Sequence, residues 1–257
     1  MAESYILKIY RGSPSQQYWE EFPLELVPFA NVITSLMEIQ KNPVNLKGEK
    51  VTPVAWEMGC LEEVCGSCSM LINGYPRQAC TALIKPLIDK SGSSTITLAP
   101  FTKFPLVRDL IVDRSIMFEN LKKVHAWIDV DSSFERGNNP RISQAKQHMM
   151  YTTSTCMTCG CCSEGCPQVN AQSKFIGPAA VAQVRLFNAH PIGKMQSRQR
   201  LQPMMEEGGI ADCGNAQNCV KVCPKKIPLT DAIAAISRDV TRQAFKNIFS
   251  LPERDDG

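Results

Sequence analysis

The sequence predicts an α+β fold in two parts: a small strand-and-helix domain over residues 1–105 and an all-helical domain over 106–257. Three observations carry this expectation. Ahead of residue 100, apolar residues fall in short strand-length runs broken by one helical stretch. Beyond residue 106 the apolar spacing becomes helical and stays so. The 12 cysteines fall in three groups, one in the first part and two in the second.

The elements follow in order. Tyr5 to Tyr10 is a mostly apolar run and predicts a buried strand. Phe22, Leu24 and Leu26 alternate with Glu21, Pro23 and Glu25, and the proline places this half-buried strand at an edge or bulge. Val32, Ile33, Leu36, Met37 and Ile39 stand at helical spacing, and Asn42-Pro43 ends that helix. Met70 to Ile72 and Tyr75 to Arg77 form a hairpin across Asn73-Gly74, a pair suited to the two positive-φ positions of a type I′ turn. Thr95 to Leu98 predicts one more strand, and the unit ends near Phe104-Pro105. Val107, Leu110, Ile111, Phe118 and Leu121 then follow a helical period, in which Arg114 is the polar exception. Glu135 to Pro140 reads as a loop. Pro178 stands where a helix begins, with Val181, Val184, Leu186 and Phe187 as its apolar face. Leu229, Ile233, Ile236, Val240, Ala244 and Ile248 give a long amphipathic helix ending before Pro252, and Glu253 to Gly257 is a frayed tail.

Composition bounds the function. A formal net charge of +3 is too small to make nucleic acid the main partner. The first residues contain no apolar stretch of signal-peptide length. No run of apolar residues is long enough to span a membrane. The cysteines are therefore expected as thiols in a reducing compartment, where clumped spacing points to metal rather than disulfides.

Cys60, Cys65 and Cys68 have the spacing C-x4-C-x2-C, and Cys80 follows twelve positions later. This is the plant-type spacing for a 2Fe–2S cluster. A cluster needs four thiolates converging on a small object, so three come from one tight loop and one from a neighbouring segment. Gly59 and Gly66 let that backbone curl closely. Four thiolates also suit zinc, but structural zinc usually pairs two C-x2-C knuckles, and only one is present here.

Cys156, Cys159, Cys162 and Cys166-Pro167 have the bacterial-ferredoxin spacing C-x2-C-x2-C-x3-C-P. Cys213, Ala216, Cys219 and Cys223-Pro224 repeat it, with Ala216 in place of the second cysteine. In this pattern the fourth cysteine of each run reaches the other cluster. One centre is then a 4Fe–4S cluster held by Cys156, Cys159, Cys162 and Cys223. The other has Cys166, Cys213 and Cys219 only. Alanine cannot bind iron, so a 3Fe–4S cluster is expected there. With three thiolates instead of four it is less negative, which is one lever that raises its potential. Cys161 is the spare thiol. Beside Cys162 it can hardly point at the same cluster, and it is expected to be a small buried hydrophobe.

A two-iron loop followed by a ferredoxin pair lacking one ligand resembles the iron–sulfur subunit of succinate dehydrogenase and fumarate reductase. The likeness runs through Leu61 to Cys68, Asn73-Gly74, Arg77 to Ala82, Phe104 to Leu110, Lys174 to Ala179 and Cys219 to Pro224. It implies an N-terminal β-grasp domain of plant-type ferredoxin kind and a C-terminal all-α, bacterial-ferredoxin-like domain. It also implies two partners, a flavoprotein subunit carrying FAD and a membrane cytochrome b anchor. The implied electron order is FAD, 2Fe–2S, 4Fe–4S, 3Fe–4S, quinone, at the cytoplasmic face of the membrane. This chain alone would be an electron carrier with no catalytic acid or base. The same resemblance admits a fumarate reductase working in reverse, or another flavin-linked, quinone-coupled dehydrogenase.

Ubiquinone-reducing members carry tryptophans shortly after the cysteine matching Cys166, and often a histidine after the one matching Cys213. Here Gln168 to Gln172 contains no aromatic residue and Gly214 replaces the histidine. Together with Asn42 to Asn45, Leu186 to Pro191 and Asp212 to Asn215, this looks more like the branch with a single-chain dihaem cytochrome b (haem b) and menaquinone.

Other features carry less. Between Gly165 and Met205 there is no Asp or Glu, while Lys174, Arg185, Lys194, Arg198 and Arg200 are basic. This is either a face toward anionic headgroups or the anchor, or an ordinary solvated face. His125, His148 and His190 show no ligand spacing. No nucleotide-binding glycine motif is present, so flavin and dicarboxylate chemistry belongs to another chain.

Overall fold

The computed structural model describes residues 4–129 and 141–249. The expected loop at Glu135 to Pro140 and the expected frayed tail lie outside the described residues. The chain forms two compact units. One runs through Arg114 and takes in Met157–Gly165 and Val222–Pro224; the other holds the remainder.

The first unit is built on a five-stranded mixed sheet. Its strands are β1 (Ser4–Ser13), β2 (Gln16–Glu25), β3 (Ser69–Ile72), β4 (Tyr75–Gln78) and β5 (Thr95–Ala99), in the order β2-β1-β5-β3-β4. β1 runs parallel to β5, and every other pairing is antiparallel. Tyr5, Leu7 and Ile9 alternate into the core, so β1 buries one face. β2 is an edge strand, which is where Pro23 costs no ladder bond. Helix α1 (Val32–Lys41) buries Val32, Ile33, Leu36 and Ile39 against this sheet. Asn31 caps it: its side chain accepts from Thr34 N–H, and Thr34 Oγ1 accepts from Asn31 N–H. Asn73 and Gly74 have φ of 50° and 74°, as the hairpin turn requires.

Two local readings are corrected. Ile84–Ser91 forms a short helix, α2, that the sequence reading passed over. Residues 107–112 are not helical: Leu106–Arg108 (β6) and Ile111–Val112 (β7) make a small antiparallel pair. The cause is Asp109 at the turn, with φ of 48°. Its buried carboxylate accepts from the N–H groups of Gly12 and Ala55, both at 2.8 Å. It also faces Arg11, itself buried and paired with Glu20 at 2.5 Å. A buried charge persists only with such partners. Arg114 therefore belongs to no helical face. It donates to the carbonyl of Gly66 at 2.6 Å and pairs with Glu57.

The second unit is helical where it is described. Its main helices are Ser115–Lys123, Gln144–Ser154, Pro178–Ala189, Ser197–Met205 and Leu229–Phe249. Pro178 takes the first turn of its helix, where a missing N–H is harmless. Val181, Val184, Leu201, Met204 and Ile236 form the core with Val124, Phe175 and Ile176, and Cys166 and Cys213 pack against it. Arg200 is fully buried. It donates to the carbonyls of His125 (2.9 Å), Gly193 (2.5 Å) and Trp127 (2.5 Å), and to the side chains of Asn188 and Gln196. Arg200 is thus no part of a basic face, and Lys174 is paired with Glu207.

Candidate iron–sulfur sites

The first cysteine loop curls because Leu61, Glu63 and Gly66 all take left-handed φ, at 62°, 56° and 76°. Alternating handedness turns successive N–H groups to one side and makes a concavity for negative charge. Here the acceptor is sulfur. Cys60 Sγ accepts from the N–H groups of Glu62, Val64 and Cys65 at 3.2–3.3 Å. Cys65 Sγ accepts from Cys60 and Ser67 N–H at 3.4 and 3.5 Å. The Ser67 hydroxyl and these N–H groups lower the Cys65 thiol to about 6. A Cβ on Gly59 would stand 3.0 Å from Cys65 Sγ, so the glycine leaves room for the sulfur. Cys68 and Cys80 form a second, buried pair, in which burial pushes Cys68 up to about 12. The four thiols thus sit as two pairs, an arrangement matching two thiolates on each iron of a 2Fe–2S rhomb.

In the second cysteine group, Cys159, Cys161 and Cys162 lie in the first unit, as does Cys223; Cys156 follows helix Gln144–Ser154 in the second. Thr158 has φ of 52°, and Cys161–Glu164 forms one helical turn. The buried Glu164 carboxylate fastens that turn, accepting from the N–H groups of Thr102 and Lys103 and from the Thr102 hydroxyl. The Cys161 thiol donates to Cys159 and, with the more distant Arg114 guanidinium, lowers Cys159 to about 7. Its own pKa is raised, by that bond and by burial. Cys161 is fully buried, as expected, yet it is no mere hydrophobe: Gln78 Nε2 donates to its sulfur at 3.5 Å.

Cys166, Cys213 and Cys219 line one cavity of the second unit, and Ala216 lines it with them. The cavity encloses about 330 Å³ of space not filled by atoms, its open mouth included. Asn215 and Gln217, on either side of Ala216, have φ of 50° and 60°, repeating the alternation of the first loop. Burial pushes Cys219 up to about 11. Gln168 lies across Gly214: its Nε2 stands 2.5 Å from where a Cβ would be.

Among the described residues, no three His, Cys, Asp or Glu side chains converge as ligands of a single metal ion. A cluster does not require that, because its thiolates are shared among several irons. No described helix is long and apolar enough to cross a membrane. The sequence reading missed Gln78, Arg114 and Glu164. Gln78 had a signal, a polar residue at an inward position of β4, whereas the partners of Arg114 and Glu164 are distant in sequence.

Comparison with known proteins agrees with this geometry. A 2Fe–2S iron–sulfur cluster binding domain matches residues 6–119, and a 4Fe–4S dicluster domain matches residues 152–227. The chain is 58% identical over 245 residues to a succinate dehydrogenase iron–sulfur subunit of Bacillus subtilis, covering 95% of each chain. It is 27% identical to a fumarate reductase iron–sulfur subunit of Wolinella succinogenes, covering 93% of this chain and 98% of that one. In fold it resembles a chain of the Mycobacterium smegmatis Sdh1 complex in the apo form. The TM-score is 0.77 at 21% identity, covering 95% of this chain and 98% of that one.

Proposed function

Because this chain belongs to the family of succinate dehydrogenase and fumarate reductase iron–sulfur subunits, we propose that its thiols hold three clusters in series between a flavoprotein subunit and a membrane anchor. Cys60, Cys65, Cys68 and Cys80 hold the 2Fe–2S cluster. Cys156, Cys159, Cys162 and Cys223 hold the 4Fe–4S cluster, and Cys166, Cys213 and Cys219 hold a 3Fe–4S cluster. When bound, these clusters supply outer-sphere, one-electron transfer. The chain's own residues supply the rest. The N–H groups of the first loop offset thiolate charge at Cys60 and Cys65. Burial of Cys68, Cys80, Cys159 and Cys219 keeps water from the ligands. No side chain is asked to move a proton in this chain.

On the partner side, we place the subunit peripherally at the cytoplasmic membrane face, against a cytochrome b anchor that reduces menaquinone. Likeness to the B. subtilis protein favours this, as does the segment after Cys166, which has no aromatic side chain to offer a quinone. Gly214 leaves no histidine there either, and its place is filled by Gln168.

The observation that carries the three-cluster reading is the cavity in which Ala216 stands beside three thiols. Ala216→Cys should let this centre take up a fourth iron. The oxidised 3Fe–4S EPR signal should vanish, and a reduced 4Fe–4S signal at lower potential should replace it, since an added thiolate makes the centre more negative. Persistence of an unchanged three-iron signal would show that the vacancy does not depend on this side chain.

A further inference from the structure

Between the two cysteine groups of the first unit stands a fully buried polar side chain, Gln78. One end of its amide, Oε1, lies 3.6 Å from Cys68 Sγ and 3.2 Å from the Ser69 hydroxyl. The other end, Nε2, lies 2.9 Å from Ser69 Oγ and 3.5 Å from Cys161 Sγ. Cys161 in turn donates its thiol to Cys159. A chain of hydrogen bonds therefore runs from Cys68 through Gln78 to Cys161, whose thiol neighbours Cys159. The backbones meet beside it: a Cβ on Gly66 would stand 2.9 Å from both Cα and Cβ of Cys159.

A buried amide is expensive unless it has partners, and a leucine or methionine would fill this inward position of β4 more cheaply. Both sulfurs it touches are special. Cys68 belongs to the proposed 2Fe–2S ligands, and Cys161 touches a proposed 4Fe–4S ligand. We propose that Gln78 and Cys161, in contact with each other, bridge the first two clusters by supplying one donor to each, Gln78 to Cys68 and Cys161 to Cys159, and so set their relative potentials. This rests on the ligand assignment given above.

The chemistry is restrictive. Once iron has displaced the Cys68 proton, that sulfur can only accept, so the amide must turn Nε2 toward it. Oε1 then faces the Ser69 hydroxyl, which can donate to it, and Cys161, whose single thiol proton is committed to Cys159. Cys159, once ligated, likewise only accepts, and the Cys161 thiol is its neighbouring donor. Each cluster thus has one donor on this path. Hydrogen bonds to ligand sulfur favour the reduced, more negative cluster and raise its potential. Loss of one such donor should change electron sharing between the clusters on the order of tenfold, equivalent to about 59 mV for one electron.

The test is an EPR-monitored redox titration of the assembled membrane complex carrying Gln78→Met, Cys161→Ala or Cys161→Ser. Gln78→Met should lower the 2Fe–2S midpoint so that electron sharing moves about tenfold toward the 4Fe–4S centre. Cys161→Ala should lower the 4Fe–4S midpoint, and Cys161→Ser, which keeps a donor, should restore most of it. A side chain that only packs would show no such rescue. Unchanged midpoints with all clusters present in Gln78→Met or Cys161→Ala would overturn the bridge and leave the ligand assignment standing. Loss of the 4Fe–4S signal in Cys161→Ala would overturn the assignment itself, by making Cys161 a ligand. Should Gln78→Met fail to assemble, the Cys161 pair decides alone: a shift rescued by serine supports the bridge, and no shift refutes it.

Discussion

Gly66 is where the first cysteine loop meets the backbone of the second, and Gly66→Ala puts a number on that meeting. Its φ is +76°, a conformation that costs an L-residue about 1–2 kcal/mol. The added methyl would also stand 2.9 Å from Cys159 Cα and Cβ and 3.0 Å from the carbonyl of Met157. Two of these three atoms are backbone, so no flexible side chain can swing away, and overpacking of this kind costs a further ~1–3 kcal/mol. The sum is about 2–5 kcal/mol, a large part of the 5–15 kcal/mol that typically holds a domain together. Gly74→Ala is the matched control. Its φ is +74° and nothing lies within 4 Å of the added carbon, so it should lose only the conformational part. Denaturant unfolding of the two variants, followed by circular dichroism, gives the difference directly. Gly66→Ala should be the less stable by about 1–3 kcal/mol and should also show reduced 4Fe–4S content. Equal stability of the two variants would refute the claim that the loops are in rigid contact.

Two further outcomes are expected. Arg200→Met leaves the carbonyls of His125, Gly193 and Trp127 without their donor and should lower stability by several kcal/mol, about 1–3 kcal/mol for each group left unpaired. Arg200→Lys should recover less than half, because a point charge cannot span that fork, and thermal denaturation of the three proteins would rank them. In the cluster-free chain, Cys65 is held near 6 and is mostly thiolate at pH 7, while Cys68, near 12, stays protonated. Iodoacetamide should therefore label Cys65 long before Cys68, at a rate falling as pH drops through about 6. Mass spectrometry that found the two labelled at equal rates would count against the N–H cradle around Cys65.

The parts legible in sequence are those set by near neighbours. Asn73-Gly74 specifies its hairpin because both residues tolerate positive φ, and Asn42-Pro43 ends α1 because proline cannot extend a helix. The cysteine spacings work in the same way, since a cluster loop is a local object. What was not legible depends on partners far along the chain. Residues 107–112 carry a helical apolar period, yet Asp109 is claimed by Gly12, Ala55 and Arg11, and the segment extends instead. Arg200 reads as one more surface charge until the carbonyls of His125 and Trp127 are found around it. α2 did leave a local trace, in Ile84, Leu87 and Ile88 followed by Gly92 with φ of 67°, but a proline in its first turn disguised it. Cys161 was legible as buried, and its bonding was not, because Gln78 lies 83 positions away.

The left-handed residues of the cysteine loops have a consequence for the life of the polypeptide. Leu61, Glu63, Thr158, Asn215 and Gln217 all lie within these loops and none is glycine. Each costs on the order of 1 kcal/mol to hold, so together they weigh against the native state by an amount comparable to the whole stability of a marginal domain. A cofactor that binds only the folded form repays this by mass action. These loops should therefore open more cheaply in an unloaded chain than in a loaded one. Cleavage by proteases follows the population of such open forms. The handedness of five backbone positions would in this way tie the lifetime of the chain to the supply of iron and sulfide.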